Sequence, residues 1–197
     1  MNFLSEVQPG GGAPLYQLKI TLKGSKPPIW RRVVVRADMK LDRLHNVIQI
    51  AMGWTDSHLH HFIAGSGFAR IFLGSPDLDM GSETLNEKRH AVADLAREVR
   101  SKFVYEYDFG DSWQHDVVLE KILPSDSSFK HPVCPAGANA CPPEDCGGIE
   151  AYYGLLGILA DPKHPEHAAT KEWTGGELDA AEFDLDGINS ALRRLKG

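Results

Sequence analysis

The chain has 197 residues, of which 42% are hydrophobic and 24% charged, and its formal net charge is -6 at pH 7. This length and composition predict one globular domain with a sizeable core. The acidic charge argues against nonspecific coating of nucleic acids, because the phosphate backbone is also negative. No apolar run is long enough to cross a membrane, and residues 1–15 lack the regions of a signal peptide. We therefore expect a cytoplasmic protein with no membrane partner.

The beginning of the chain is poor in structure-forming residues. Residues 1–14 contain Pro9 followed by three glycines, a composition typical of a flexible tail. The remainder, residues 15–197, shows no internal repeat. We predict that it forms a single domain.

Two strands open this domain. Apolar and polar residues alternate from Tyr16 to Leu22, and a run rich in β-branched residues follows over Ile29–Arg36. Three arginines make the second strand basic: Arg31, Arg32 and Arg36. They could form an anion-binding or nucleic-acid-binding surface. Charged side chains on one strand more often form a solvated face, which is the expectation here.

An amphipathic helix is predicted over residues 41–52, where apolar residues recur at helical spacing. Asp38 is its expected N-cap and Gly53 its stop. His45 lies on the apolar stripe of this helix. We interpret it as a packed, hydrogen-bonded core histidine.

A histidine-rich segment, Ser57–Ile63, follows Trp54. In a strand, His58 and His60 would point to the same side and lie close enough to share a metal or a substrate. Histidines also serve in cores and on surfaces. The alternative is therefore that one histidine is buried and hydrogen-bonded while the others are solvated.

Three simpler elements follow. Residues 68–73 are predicted to pair with the histidine-rich segment in a hairpin. Residues 74–89 are polar and turn-rich, which predicts a mobile stretch, and residues 92–99 have the spacing of a short helix.

The densest cluster of chemical groups runs from Tyr105 to His115 and predicts two strands joined by a tight turn. Aromatic residues alternate along both strands, and side chains alternate across a sheet. Only a loop with an odd number of residues puts both sets on one face, and the hydrophobic pattern normally decides register. We therefore predict that Tyr107 and His115 share the buried face. Asp111 should lie in the turn and accept hydrogen bonds from local backbone amides.

A proline- and glycine-rich segment with all three cysteines follows and is predicted to be a compact loop. Four of its residues offer ligands suited to a closed tetrahedral zinc site: His131, Cys134, Cys141 and Cys146. Zinc would order a loop that has little apolar material. The spacing lacks paired C-x2-C knuckles, however, and buried free cysteines are common. His115 or His58 could replace His131 as the fourth ligand.

The last part of the chain is helical. Glu144 and Asp145 precede an apolar helical run, Ile149–Ala160, and carboxylates there complement the helix N-terminus. A charged connector broken by prolines follows. The final helix has an apolar stripe between residues 185 and 195, with Asp184 as its expected cap.

Six motifs then stand in one order along the chain. They are Pro27-Pro28-Ile29-Trp30-Arg31-Arg32, Leu44-His45-Asn46-Val47-Ile48-Gln49, Met52-Gly53-Trp54, His58-Leu59-His60, Tyr107-Asp108-Phe109-Gly110-Asp111-Ser112-Trp113 and Cys141-Pro142-Pro143-Glu144-Asp145-Cys146-Gly147-Gly148. Over about residues 15–195 the chain resembles the plasmid pRiA-type ORF-three-like family, named after the third open reading frame of an Ri plasmid. The resemblance implies an α+β fold, with a mainly antiparallel mixed sheet and flanking helices.

The resemblance implies little about activity. Some similar proteins carry labels that suggest resolvase or transposon association, which implies a link to mobile elements. The chain shows none of the serine-centred or tyrosine-centred cleavage chemistry of a recombinase, so that activity is not expected.

Two functional hypotheses remain, and they belong to different classes. The first is a binding module for a small-molecule or protein ligand. Its groove would be lined by Trp30, Trp54, His58, His60, Trp113 and His115. The second is a metal-dependent hydrolase in which histidines and carboxylates hold an ion and activate water. The binding module needs fewer assumptions, because no nucleophile–base pair is visible. A simpler alternative is that these side chains are only the core and its edge.

Overall fold

The structure is a computed structural model that describes residues 12–75, 84–176 and 178–195. Most of the predicted flexible tail, residues 1–11, lies outside the described residues. So do residues 76–83, which form the middle of the stretch predicted to be mobile.

One mixed sheet of eight strands organises the described chain. The strands are β1 (Leu15–Leu22), β2 (Trp30–Arg36), β3 (His60–Ala64), β4 (Ile71–Gly74), β5 (Thr84–Asn86), β6 (Lys102–Tyr107), β7 (Trp113–Leu123) and β8 (Val133–Ala138). Their order across the sheet is β5-β4-β3-β6-β7-β1-β2-β8. All neighbours are antiparallel except β4 and β5, which are parallel.

Five α-helices accompany the sheet within the described residues and confirm the predicted α+β class. They are α1 (Leu41–Met52), α2 (Val92–Leu95), α3 (Gly148–Ala160), α4 (His167–Trp173) and α5 (Leu185–Leu192). One continuous core joins α1, α2, α3 and α5 to the inner face of the sheet, with Leu18, Leu44 and Phe62 completely buried. Within the described ranges, every helix is too short or too polar to traverse a bilayer.

The register of the β6–β7 hairpin is the predicted one. Tyr105 pairs with His115 and Tyr107 pairs with Trp113, so Tyr107 and His115 lie on the same face. The loop between the strands has an odd length, as expected, but it is longer than a tight turn and spans residues 108–112. The alternation of aromatic residues therefore determined the pairing correctly.

The carboxylates of this loop have different roles from those expected. Asp108, not Asp111, caps the turn: its Oδ1 accepts a hydrogen bond from the Gly110 amide at 2.9 Å. Asp111 reaches a distant part of the chain, where its Oδ2 accepts from the amide of Gly147, the N-cap of α3, at 2.9 Å. The prediction that Asp111 binds local amides was wrong, because the loop lies against the start of α3.

The ends of α1 also differ from the prediction. Gly53 ends the helix in a left-handed conformation, with φ 89°, as expected for a glycine C-cap. Asp38 does not cap the other end. Lys40 holds the N-cap position, and both Asp38 carboxylate oxygens bind the guanidinium of Arg36 at 2.9 and 2.7 Å.

The three arginines of β2 do not form one solvated face. Arg31 is 3% exposed, and its guanidinium donates to the carbonyls of Ala51, Trp30 and Ala138. Arg32 lies on the opposite face, where its Nε is 2.5 Å from a carboxylate oxygen of Glu120. Buried charges persist in proteins only when they are hydrogen-bonded or paired, and Arg31 satisfies this condition with backbone carbonyls.

Two strands and one helix were not predicted, and the first of them is β5, Thr84–Asn86, which lies inside the stretch predicted to be mobile. Strand β8 lies inside the segment predicted to be a loop, and α4 lies inside the connector. β8 pairs with β2 at the edge of the sheet, where a proline such as Pro135 is tolerated because an edge strand does not need every amide. α5 covers β8, with the Asn189 side chain bonded to both the amide and the carbonyl of Cys134.

Candidate functional site

The loop between α1 and β3, residues 53–59, contributes one side chain to each of two clusters of potential ligands. Its backbone is held by the core: the Asp56 amide donates to Gln49 Oε1 at 2.9 Å, and the Ser57 amide donates to the Tyr107 hydroxyl at 2.9 Å. Glu144 accepts from the Thr55 amide at 3.1 Å. The loop is thereby fixed to α1, to β6 and to the segment before α3.

A first cluster, the His45 group, comprises His45, Asp56 and His60, whose ligand atoms all lie within 4.8 Å of one another. The imidazoles of His45 and His60 stack with centroids 3.5 Å apart and planes 5° apart. His45 Nε2 is 2.8 Å from Asp56 Oδ1, and His60 Nε2 is 2.9 Å from Glu87 Oε2. Each Nε2 therefore has its own carboxylate.

The surroundings of His45 fix its protonation. Burial, then the neighbouring His60, lowers the pKa of His45 to about 4. The Tyr105 hydroxyl accepts from Gln49 Nε2 at 3.0 Å and lies 2.8 Å from His45 Nδ1. A neutral His45 that accepts from Tyr105 and donates from Nε2 to Asp56 satisfies this whole network. The interpretation of His45 as a bonded core histidine agrees with this geometry.

A second cluster, the His58 group, comprises His58, Asp108 and Asp145, again with all ligand atoms within 4.8 Å. His58 Nε2 lies 3.1 Å from Asp145 Oδ1 and 3.8 Å from Asp108 Oδ2. This nitrogen is buried, yet no described residue makes a hydrogen bond of good geometry with it. The Asp145 side chain is 72% exposed, so the group opens to solvent.

The three aspartates of the two groups share an unusual backbone conformation. Asp56, Asp108 and Asp145 have φ values of 58°, 56° and 59°. Residues other than glycine seldom adopt this left-handed region, although aspartate and asparagine tolerate it best. Such residues concentrate at functional sites, where the surrounding structure holds them in place.

Beside the His58 group, Glu144 and Tyr107 form a short hydrogen bond of 2.6 Å. Burial raises the pKa of Glu144, but hydrogen bonds from Thr55 and Tyr107 oppose it, and the pKa falls below its ordinary value. Burial and the contact with Glu144 raise the pKa of Tyr107. Glu144 is therefore an ionised carboxylate and Tyr107 a neutral hydroxyl at neutral pH.

The structure separates His58 from His60. β3 begins at His60, so His58 lies in the preceding loop, and the two histidines belong to different groups. The alternation of a strand, which would have put both on one side, does not extend to His58. His61 points to the other face of the sheet, where its Nε2 is 2.9 Å from Glu106 Oε2.

The aromatic members of the predicted groove belong mostly to the core. Trp54, Trp113 and His115 are 7%, 1% and 0% exposed, and the ring of Trp54 contacts the other two. Trp30 lies on the other face of the sheet, where the cationic ends of Lys19 and Arg32 are each 5.1 Å from the centroid of its ring. Ligand binding by this set stays a prediction, and only His58 of the set lies in an open cluster.

The four predicted zinc ligands occupy different surroundings. Cys134 lies in β8, and its Sγ is 3.5 Å from the carbonyl oxygen of Ala136. Cys141 Sγ lies 3.1 Å from Met52 Sδ, and burial raises the pKa of the Cys141 thiol to about 11. Burial also raises the pKa of Cys146 to about 11. Neither ligand cluster formed by the described residues includes Cys134, Cys141, Cys146 or His131, and zinc binding there stays a prediction.

Sequence reasoning missed the carboxylates of both groups. Glu144 and Asp145 were assigned to the start of α3, yet Glu144 binds Thr55 and Tyr107, and Asp145 faces His58. Asp108 and Asp56 were assigned no site role from the sequence. A signal was present, since Asp108 and Asp145 lie in the two longest motifs and His58 in a third. Nothing in the sequence indicated that these motifs meet.

Known proteins match nearly the whole chain. The family model of the plasmid pRiA4b ORF-3-like protein matches residues 14–187. The uncharacterized protein y4hQ of Sinorhizobium fredii (strain NBRC 101917 / NGR234) is 38% identical over 185 residues, which is 93% of each chain. A crystal structure of the protein of unknown function MM3350 from Methanosarcina mazei Go1 superposes with a TM-score of 0.80 at 36% identity, covering 88% of this chain and 96% of the other. The chain therefore belongs to the plasmid pRiA4b ORF-3-like protein family.

Proposed function

We propose that this protein is a metal-dependent hydrolase whose ion is bound by the His58 group. One observation carries the proposal: the buried Nε2 of His58 lies between two carboxylates without a well-formed hydrogen bond to either. A buried polar atom normally has a partner, and an exception calls for an explanation such as an ion. One imidazole and two carboxylates suit divalent ions such as Zn²⁺ or Mn²⁺.

The His45 group supports the choice of the His58 group as the metal site, because its own histidine nitrogens are already hydrogen-bonded. There, both nitrogens of His45 and the Nε2 of His60 have partners at 2.8 to 2.9 Å. A satisfied network of this kind needs no ion, and it fixes the loop that carries His58. We therefore assign a positioning role to the His45 group and the ligand role to the His58 group.

The openness of the His58 group favours catalysis over a purely structural ion. Structural zinc sites are closed by four protein ligands, whereas catalytic sites keep a position for water or substrate. Here three protein ligands are available, and Asp145 is largely exposed. A bound divalent ion would supply an acidified water molecule. Glu144, an ionised carboxylate that accepts hydrogen bonds from Thr55 and Tyr107, is the candidate proton acceptor.

Metal content tests the ligand assignment. The purified protein should bind about one Zn²⁺ or Mn²⁺ per chain, measured by mass spectrometry and by calorimetric titration of metal-free protein. His58→Ala and Asp108→Asn should each weaken binding by about tenfold or more, because the first removes the imidazole ligand and the second removes the negative charge of a carboxylate ligand. The matched controls are His131→Ala and Cys146→Ser. If only these controls lose metal, the ion belongs to the predicted cysteine loop and the proposal is wrong.

Activity tests the reaction class. Ester and phosphoester substrates should be hydrolysed in the presence of Zn²⁺ or Mn²⁺, and Glu144→Gln should lower the rate while metal content stays unchanged. Bound metal without turnover of any substrate would restrict the site to a structural role.

The binding-module hypothesis remains the second candidate. The groove predicted for that module is mostly part of the core. A different feature favours ligand binding: a cavity next to α1. A structural zinc loop and a link to mobile elements also stay predictions.

A further inference from the structure

A cavity of about 330 Å³ lies where the β2–α1 connection meets the segment before β8 and the C-terminal end of α5. Its apolar part is formed by Met39, Phe129, Pro132 and Leu195. Ligand pockets are mostly apolar, with a few polar groups that orient the ligand, and their volumes start at roughly 300 Å³. The cavity is large enough for a small ligand, and it shares no residue with the His45 or His58 groups.

The rim of this cavity is basic in a protein of net charge -6. It contains Arg36, Lys40, Arg43 and Lys130 beside the imidazole of His131, and its carboxylate is Asp38, which is already bonded to Arg36. Cations gathered around an apolar hollow create a local positive potential, which attracts anions despite the acidic surface elsewhere.

The two lysines have donors to offer a ligand. Lys40 Nζ donates to the Arg89 carbonyl at 3.2 Å, and Lys130 Nζ donates to the Ser127 carbonyl at 2.8 Å. An ammonium group has three N–H donors, and each of these bonds uses one. The bonds also restrain the side chains, which reduces the entropy lost when a ligand binds.

We propose that this cavity binds an amphipathic anion, with an apolar body against Phe129 and Leu195 and a carboxylate or phosphate head at Lys40 and Lys130. The chemistry requires both parts. An apolar molecule would leave the cationic rim unused, and a free anion would leave the apolar surface exposed to water. The site is independent of the proposed hydrolase centre.

Calorimetric titration with four probes tests this proposal on the full-length protein: decanoate, decyl phosphate, decanol and inorganic phosphate. At least one of the first two should bind tenfold or more tightly than both decanol and inorganic phosphate. Equal binding of decanol would show a merely apolar groove. Equal binding of inorganic phosphate would show only an anion patch, and no binding of any probe at millimolar concentration would also overturn the proposal.

Variants locate the binding. Lys40→Gln combined with Lys130→Gln should weaken binding of the tighter probe by tenfold or more. Phe129→Ala should also weaken binding, because it removes apolar contacts with the body of the ligand. Lys163→Gln, an exposed lysine outside the cavity, is the matched control and should bind as the wild type does. His58→Ala should also leave binding unchanged, which separates this site from the hydrolase centre. Unchanged binding in the double lysine variant with an intact circular dichroism spectrum would place the ligand elsewhere.

Discussion

At the scale of single residues, the histidines show how strongly the surroundings decide a role. His45, His58, His60 and His115 all lie within the same aromatic region, yet each has a different set of partners. His45 and His60 are hydrogen-bonded to carboxylates. His58 faces two carboxylates without a good hydrogen bond, and His115 is buried among aromatic rings. Residue type alone could not distinguish a ligand from a packed imidazole.

His115 should make the protein sensitive to mild acid. It is 0% exposed, its Nε2 has no described partner, and burial lowers its pKa to about 4. In the unfolded chain its pKa would be about 6.5, so between pH 6.5 and 4 only the unfolded state takes up the proton. The contribution of His115 to stability should therefore fall by about 3 kcal/mol as pH decreases through this window, and this contribution should change no further below it.

His115→Phe should remove this dependence, because it replaces the titrating ring with an apolar one that suits Trp54 and Tyr105. Urea unfolding at pH 7 and at pH 4 measures the effect. The variant should lose less stability than the wild type between the two values, and an equal loss in both proteins would contradict the prediction. His164→Phe, a partly exposed histidine outside the core, serves as the control.

At the scale of elements, the start of α3 is the part that assembles the candidate site. Asp111 in the β6–β7 loop bonds the amide of Gly147, and this contact brings the loop with Asp108 close to the segment with Asp145. Gly148 makes the approach possible: a Cβ there would lie 2.8 Å from the backbone oxygen of Asp111, and φ is +83°. Only glycine combines this left-handed backbone with so close a neighbour.

Gly148→Ala should therefore destabilise the protein by about 1–3 kcal/mol and also weaken metal binding by the His58 group. Gly154→Ala, in the same helix, is the matched control. A Cβ at Gly154 meets nothing within 4 Å, so this change should be neutral or stabilise by up to about 1 kcal/mol. Thermal unfolding and metal titration of both variants test the argument. Equal behaviour of the two would show that the loop contact does not position the site.

At the scale of the whole molecule, each of the three β2 arginines is already bonded to another group of the protein. Arg31 is buried against backbone carbonyls, Arg32 pairs with Glu120, and Arg36 pairs with Asp38. The β2 arginines therefore offer no continuous basic surface to a nucleic acid, and the net charge of -6 opposes its approach.

Nonspecific binding to random duplex DNA should accordingly be weak. Fluorescence anisotropy across a salt series should show affinities weaker than micromolar at physiological salt and a shallow salt dependence, because few phosphates would be neutralised. Tight binding with a steep slope would contradict this expectation. Binding that disappeared in the variant Lys40→Gln with Lys130→Gln would place the contact at the basic cavity.

The sequence by itself determined the elements that follow local periodicity. The alternation of aromatic residues determined the β6–β7 register, and helical spacing determined α1 and its end at Gly53. These features depend on neighbours within a few residues, so the local pattern contains the information. The motifs that resemble the family likewise identified the fold correctly.

Only the tertiary structure decided how the segments meet. It separated His58 from His60 and buried Arg31. It also placed Asp145, which was expected only to complement the N-terminus of α3, beside the imidazole of His58. Each outcome depends on residues far apart in the chain: His58 lies in the loop before β3 and Asp145 in the segment before α3. Local propensity cannot encode such encounters, because their free energy comes from long-range burial and hydrogen bonding.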